Sequence, residues 1–145
     1  MNIPYAELAA MLGIGAGRVT SRGPVEIVDR IQQGLPVAAL YAVSSEVAPD
    51  DAQFVFRLIP KASLARRKQG PKSLTPDQGS RLARVAGVWK LAESVWKDAG
   101  ETRAFLFRPH PMLEGRKPID VVLESELGAD LVRSVLGRLA YGTAA

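Results

Sequence analysis

Apolar residues recur at helical spacings along most of the chain, and proline and glycine cut that pattern into segments. No run alternates apolar and polar residues as a half-buried strand would, so the pattern predicts an all-α fold. A short helix is expected over residues 4–12, ending in GIGAG, and a second over 24–33, with Pro24 in its first turn and Gly34 beyond its end. A third starts at Pro36 and carries Leu40, Tyr41 and Val43 to about Val47. Pro49 with Asp50 or Asp51 then offers a turn and an N-cap to a short segment bearing Phe54, Val55 and Phe56.

Pro60 opens PKASLARRK, in which Leu64 is expected to face inward while Lys61, Ser63, Arg66, Arg67 and Lys68 share the outer surface. The clearest helix start follows at Thr75. Its hydroxyl can accept from the Gln78 amide while the Gln78 side chain reaches back, with Pro76 at the first helical position. From there Leu82, Val85, Trp89, Ala92 and Trp96 form one apolar stripe, broadened by Val88, Leu91 and Val95. Such a helix is expected to be sandwiched between partners, with both tryptophans in the core, and Gly100 to end it. A proline-bracketed loop, RPHPMLEGRKPID, separates a helical or mixed segment at 101–107 from a short helix starting at Pro118. A final helix is expected from about Ser125, with Leu127, Leu131, Val135 and Leu139 facing inward and Gly142 after its end. Glu124, Glu126 and Asp130 near its start and Arg133 and Arg138 near its end suit the helix dipole.

With 145 residues, 47% of them hydrophobic and 23% charged, the chain can bury a core and fits neither a disordered tail nor a fibrous repeat. The absence of cysteine excludes a disulfide scaffold, a thiolate metal site and a cysteine nucleophile. Neither a signal peptide nor a membrane-spanning run is evident, so a cytoplasmic protein without membrane contact is expected. The net charge of +4 is unevenly spread. Residues 57–90 hold nine basic side chains (Arg57, Lys61, Arg66, Arg67, Lys68, Lys72, Arg81, Arg84 and Lys90) against Asp77 alone, while the flanking blocks are slightly acidic. A positive cluster between such flanks is the footprint expected of a protein that reads a phosphate backbone.

Chemistry of other kinds finds little support. The one histidine, His110, stands between two prolines without a second metal ligand, and no metal or cofactor is expected. GIGAG has Arg18 where a dinucleotide loop needs its last glycine, and it reads as a helix-ending turn. Neither Glu93 with Asp98 nor Glu124 with Glu126 shares one helical face, so no acid and base pair can be assembled and no enzyme is expected.

The segment DDAQFVFRLIPKASLARRK has the outline of a helix-turn-helix. Phe54 and Val55 would pack on the helix carrying Leu40 and Tyr41, Arg57 to Ile59 would make the turn, and Lys61 to Lys68 would be the recognition helix. Arginine bridges a guanine edge with two parallel donors and lysine suits phosphates. Ser63 and Arg66 are therefore assigned to bases, and Lys61, Arg67, Lys68 and Lys72 to the DNA backbone.

The run ASLARRKQGPKSLTPDQGSRLARVAGVWKLAESVW resembles the second half of the Xre-like helix-turn-helix antitoxins, through its RRK, its SLT helix start and its RLARVA. HPMLEGRKPIDVVLESELGADLVRSVLGRLAYG resembles the toxin-binding domain of the Xre/MbcA/ParS antitoxins, with a proline loop, a glycine beside a basic residue, a proline, hydrophobic, aspartate triplet, and a helix ending in YG. The similarity covers about residues 36–142. It implies an antitoxin of a type II toxin-antitoxin module, whose toxin has the RES fold and degrades NAD. The antitoxin neutralises such a toxin by occluding its active site, and the complex represses its own operon. By position, Leu113, Gly115, Arg116, Pro118 and Asp120 form the motif loop, and Arg138, Tyr141 and Gly142 form the end placed against the toxin.

The expected organisation is a helical region with the helix-turn-helix at 1–75, a connecting helix at 76–99 and a toxin-binding domain at 100–145. Operators with two-fold symmetry call for a homodimer. A stand-alone helix-turn-helix regulator without a toxin, or a protein-binding adaptor whose basic block is a solvated face, would also fit the residues alone.

Overall fold

Pro24, Pro36, Pro60, Pro76, Pro111 and Pro118 each stand at or next to the first residue of a helix, where the missing amide hydrogen costs nothing. The computed structural model describes residues 3–14 and 23–142. Among them every regular element is helical, apart from isolated bridges pairing Pro36 with Ser73 and His110 with Arg116. The α-helices are α1 (Tyr5–Met11), α2 (Pro24–Gln33), α3 (Val37–Val47), α4 (Val55–Leu58), α5 (Lys61–Gln69), α6 (Pro76–Trp96), α7 (Ala99–Phe107), α8 (Pro118–Glu124) and α9 (Glu126–Ala140), with a 3-10 turn at Pro111–Leu113. The predicted all-α class is therefore observed. Of GIGAG, Gly13 takes a positive φ just past α1, and residues 15–17 lie outside the described residues. No helix among the described residues is long and apolar enough to cross a membrane.

The chain forms two compact units. One lies within Tyr5–Ala86, and the other runs from Gly87 onward and includes Ile3 and Pro4. In the first, Leu12, Leu35, Leu40, Val43, Phe54, Leu58, Ile59, Leu64 and Leu82 are buried. The connection after α5 is fixed to the start of α3. The Leu74 amide donates to the Leu35 carbonyl at 2.7 Å, and the Val37 amide donates to the Lys72 carbonyl at 3.2 Å. Immediately afterwards the expected capping box forms. The Gln78 amide donates to Thr75 Oγ1 at 3.2 Å and the Thr75 amide donates to Gln78 Oε1 at 3.0 Å.

In the second unit, Val88, Trp89, Leu91 and Ala92 of α6 are buried with Phe105, Leu106, Ile119, Val122, Val132 and Leu136. The broad apolar band of α6 follows the sequence pattern up to Ala92. Trp96 departs from it, being 37% exposed and stacked obliquely near Phe105, with ring centres 6.1 Å apart. The helix also stops earlier than expected. Lys97 takes a left-handed φ of 56°, Asp98 caps α7 by accepting from the Glu101 amide at 2.8 Å, and Gly100 lies inside α7. The acidic residue three before Glu101 made the better boundary signal than the glycine.

Ser125 alone joins α8 to α9, its hydroxyl accepting from the Gly128 amide at 2.9 Å. A Cβ at Gly128 would lie 2.1 Å from the Val121 carbonyl oxygen, so a hydrogen at this position lets the two helices meet. That contact sets how α9 turns. Gly128, Ala129, Val132, Val135 and Leu136 face inward. Contrary to the spacing-based expectation, Leu127 and Leu131 point out, 70% and 51% exposed, and Leu139 is only half-buried.

Candidate functional site

Each unit carries one candidate surface. The first is the exterior of α5. Leu64 is its one buried residue, and Arg66 lies on the far side of the helix from it. Arg66 Nη2 donates to Ser63 Oγ at 3.3 Å, so the two residues assigned to bases stand together, Arg66 exposed and Ser63 half-buried. The lysines are held at the flank by aromatic rings: Lys61 Nζ lies 5.6 Å from the Phe56 ring centre, and Lys68 Nζ lies 5.0 Å from that of Tyr41. Arg67 is half-buried and Lys72 is exposed in the connection after α5. The turn before α5 is shorter than expected. Arg57 and Leu58 belong to α4, which leaves Ile59 and Pro60 as the connection. The preceding helix α4 is a single turn of four residues.

The second surface is a groove of about 550 Å³ in the other unit, between α9 and the loop that precedes α8. Its α9 wall is formed by Leu127, Leu131, Ser134 and Arg138, whose spacings of four, three and four residues put them on one face. The facing wall is Met112, Leu113, Glu114 and Arg116, with Val121 and Glu124 of α8. The loop is tied by its own hydrogen bonds. His110 receives the Met112 amide on Nδ1 at 3.1 Å, and its backbone carbonyl accepts from Leu113 and Gly115. Its amide donates to the Arg116 carbonyl at 3.0 Å. The turn needs two consecutive left-handed residues, Glu114 and Gly115, at φ of 55° and 81°. Arg116 Nη1 donates to the Leu113 carbonyl at 3.4 Å and to Glu114 Oε1 at 3.3 Å, which holds its guanidinium at the rim.

Of the residues that the resemblance placed against a toxin, Leu113, Arg116 and Arg138 come together in this groove. Gly115 shapes the loop without lining it. Tyr141, 73% exposed, caps the end of α9, and Gly142 follows it at a positive φ, both outside the lining. Pro118 is buried as the first residue of α8, and Asp120 sits exposed in that helix's first turn. Sequence reasoning missed Leu127, Leu131, Ser134 and Met112. The available signal was that α9 carries more apolar side chains than one stripe holds. Counting Gly128 and Ala129 into the inward face would have released the two leucines to the outside. Among the described residues, no three His, Asp or Glu side chains gather as a metal site would require.

Residues 91–142, spanning the groove, match the family model of the antitoxin Xre/MbcA/ParS C-terminal toxin-binding domain. Over 128 residues, 87% of this chain and 85% of the relative, the sequence is 32% identical to Antitoxin Xre of Yersinia enterocolitica. Over 86 residues, 59% of this chain and 54% of the relative, it is 30% identical to Antitoxin Xre of Pseudomonas putida. With a curated relative matched over most of both chains, and the domain model lying across α7, α8 and α9, this chain belongs to the Xre family of antitoxins.

Proposed function

We propose that this antitoxin binds its toxin through the groove between α9 and the 110–116 loop, and that the toxin is a RES-fold enzyme that degrades NAD. The observation that carries the reading is the outward placement of Leu127 and Leu131 beside Arg116 and Arg138. Exposed leucines at a concave surface rimmed by two arginines and two glutamates suit a protein partner, because burial of the leucines supplies affinity and the charged rim supplies orientation. Tyr141 and Gly142 then extend from the end of α9 toward the toxin's active-site entrance and occlude it. The chain itself acts by binding. In the same reading the exterior of α5 enters operator DNA, with Ser63 and Arg66 on bases and Lys61, Arg67, Lys68 and Lys72 on phosphates. A homodimer of the antitoxin matches a two-fold symmetric operator and represses its own operon.

Co-expression with the adjacent reading frame tests both halves. The expected result is one complex on size exclusion, NAD loss by the neighbour that stops when the antitoxin is present, and binding to the upstream promoter fragment that falls steeply with salt. No complex and no NAD loss would refute the toxin assignment. Promoter binding without a toxic neighbour would instead favour a stand-alone regulator.

A further inference from the structure

In the unit of residues 5–86, Arg57 of α4 and Arg81 and Arg84 of α6 line one open cleft of about 520 Å³, together with Phe56, Pro60 and Asp77. The helix-turn-helix assignment puts Arg57 in its turn, and none of the three arginines is among the residues assigned to DNA. Arg81 Nη2 donates to the Arg57 carbonyl at 3.1 Å, which anchors its guanidinium at the wall. Desolvation, and then the charges of Arg84 and Arg57, hold the pKa of Arg81 below the ordinary arginine value. It stays protonated at neutral pH. Three guanidinium groups thus share a cleft with one carboxylate, Asp77, and an arriving anion meets cations that are already assembled. The cleft adjoins the start of α5, because Phe56 lines it and also carries Lys61 Nζ against its ring.

We propose that the cleft of Arg57, Arg81 and Arg84 is a phosphodiester site, which takes a backbone phosphate of the DNA that α5 reads. Guanidinium groups match phosphate oxygens with paired donors, and an open cleft beside α5 admits a polymer. The site adds a sequence-independent anchor from α4 and α6 to the contacts of α5. It rests on the DNA-binding reading above.

The test uses the full chain, with Arg57→Gln and Arg81→Gln as separate variants. Each is titrated over a range of salt against the promoter fragment and an unrelated duplex of equal length. Each variant should weaken binding to both duplexes by about fivefold at low salt. The slope of log affinity against log salt should flatten by about 0.9, with the promoter preference unchanged. Arg81→Lys, which keeps the charge, should recover most of the slope. Arg57 is exposed and its carbonyl contact survives substitution, so Arg57→Gln reports even if Arg81→Gln unfolds. Variants that match the wild type on both duplexes would overturn this site and leave α5 as reader. A wild type that binds neither duplex would refute the DNA reading together with the site. Inorganic phosphate that shifts the Arg81 guanidinium resonance in the wild type, where duplex does not, would show a free-phosphate site and also overturn the proposal.

Discussion

α5 and α9 present opposite kinds of surface to solvent. In α5 one leucine meets the core and every charged residue is cationic. In α9 apolar side chains occupy two faces, one of them turned to solvent. Where large apolar residues are scarce they go inward, and the remaining surface is assigned by default. Where they exceed what a core needs, the surplus marks a binding face, and deciding which residues form it requires knowing how the helix is turned. Gly128 makes that decision in α9, by seating it directly on the Val121 carbonyl.

The largest effect should come from that contact. Gly128→Ala places a methyl group where the Val121 carbonyl oxygen stands, and should destabilise the 87–142 unit by about 3 kcal/mol, read from urea unfolding. Toxin binding should fail with it while promoter binding persists. Next, Leu127→Asp with Leu131→Asp should weaken the toxin complex by about 2–4 kcal/mol, measured by calorimetry. Both side chains are already solvated, so the unfolding midpoint should barely move. A large loss of stability would mean that the two leucines belong to the core after all. Arg66→Ala with Arg67→Ala should cost promoter binding about 1–3 kcal/mol by fluorescence anisotropy and leave toxin neutralisation intact. Damage to both activities in a folded variant would break the separation of the two surfaces. The smallest effect, about 1 kcal/mol in thermal or urea unfolding, is expected for Thr75→Ala, which removes one arm of the capping box of α6.

Most helix starts were legible because proline and capping residues act locally. The Thr75 and Gln78 box and the Pro60 start of α5 need only neighbouring residues to form. The burial of Leu64 was legible for the same reason, since its helix offers no other large apolar residue. The end of α6 is set by a local signal, the Asp98 cap of α7, which the glycine at 100 masks. Two features were not legible because tertiary packing decides them: the exposure of Trp96, set by how far the core of its unit reaches, and the rotation of α9, set by the Val121 carbonyl. Of the groove, the motif residues Leu113, Arg116 and Arg138 are legible through resemblance, whereas helical spacing alone puts Leu127 and Leu131 in the inward stripe of α9.

The most direct test of the groove is methyl NMR of the full antitoxin, with Leu64, Leu113, Leu127 and Leu131 assigned, as unlabelled toxin is added. Leu127 and Leu131 should shift or broaden first, Leu113 should follow, and Leu64 of α5 should stay where it was. Perturbation of Leu64 with Leu127 and Leu131 unmoved would rule out the groove and place the toxin on the basic surface instead.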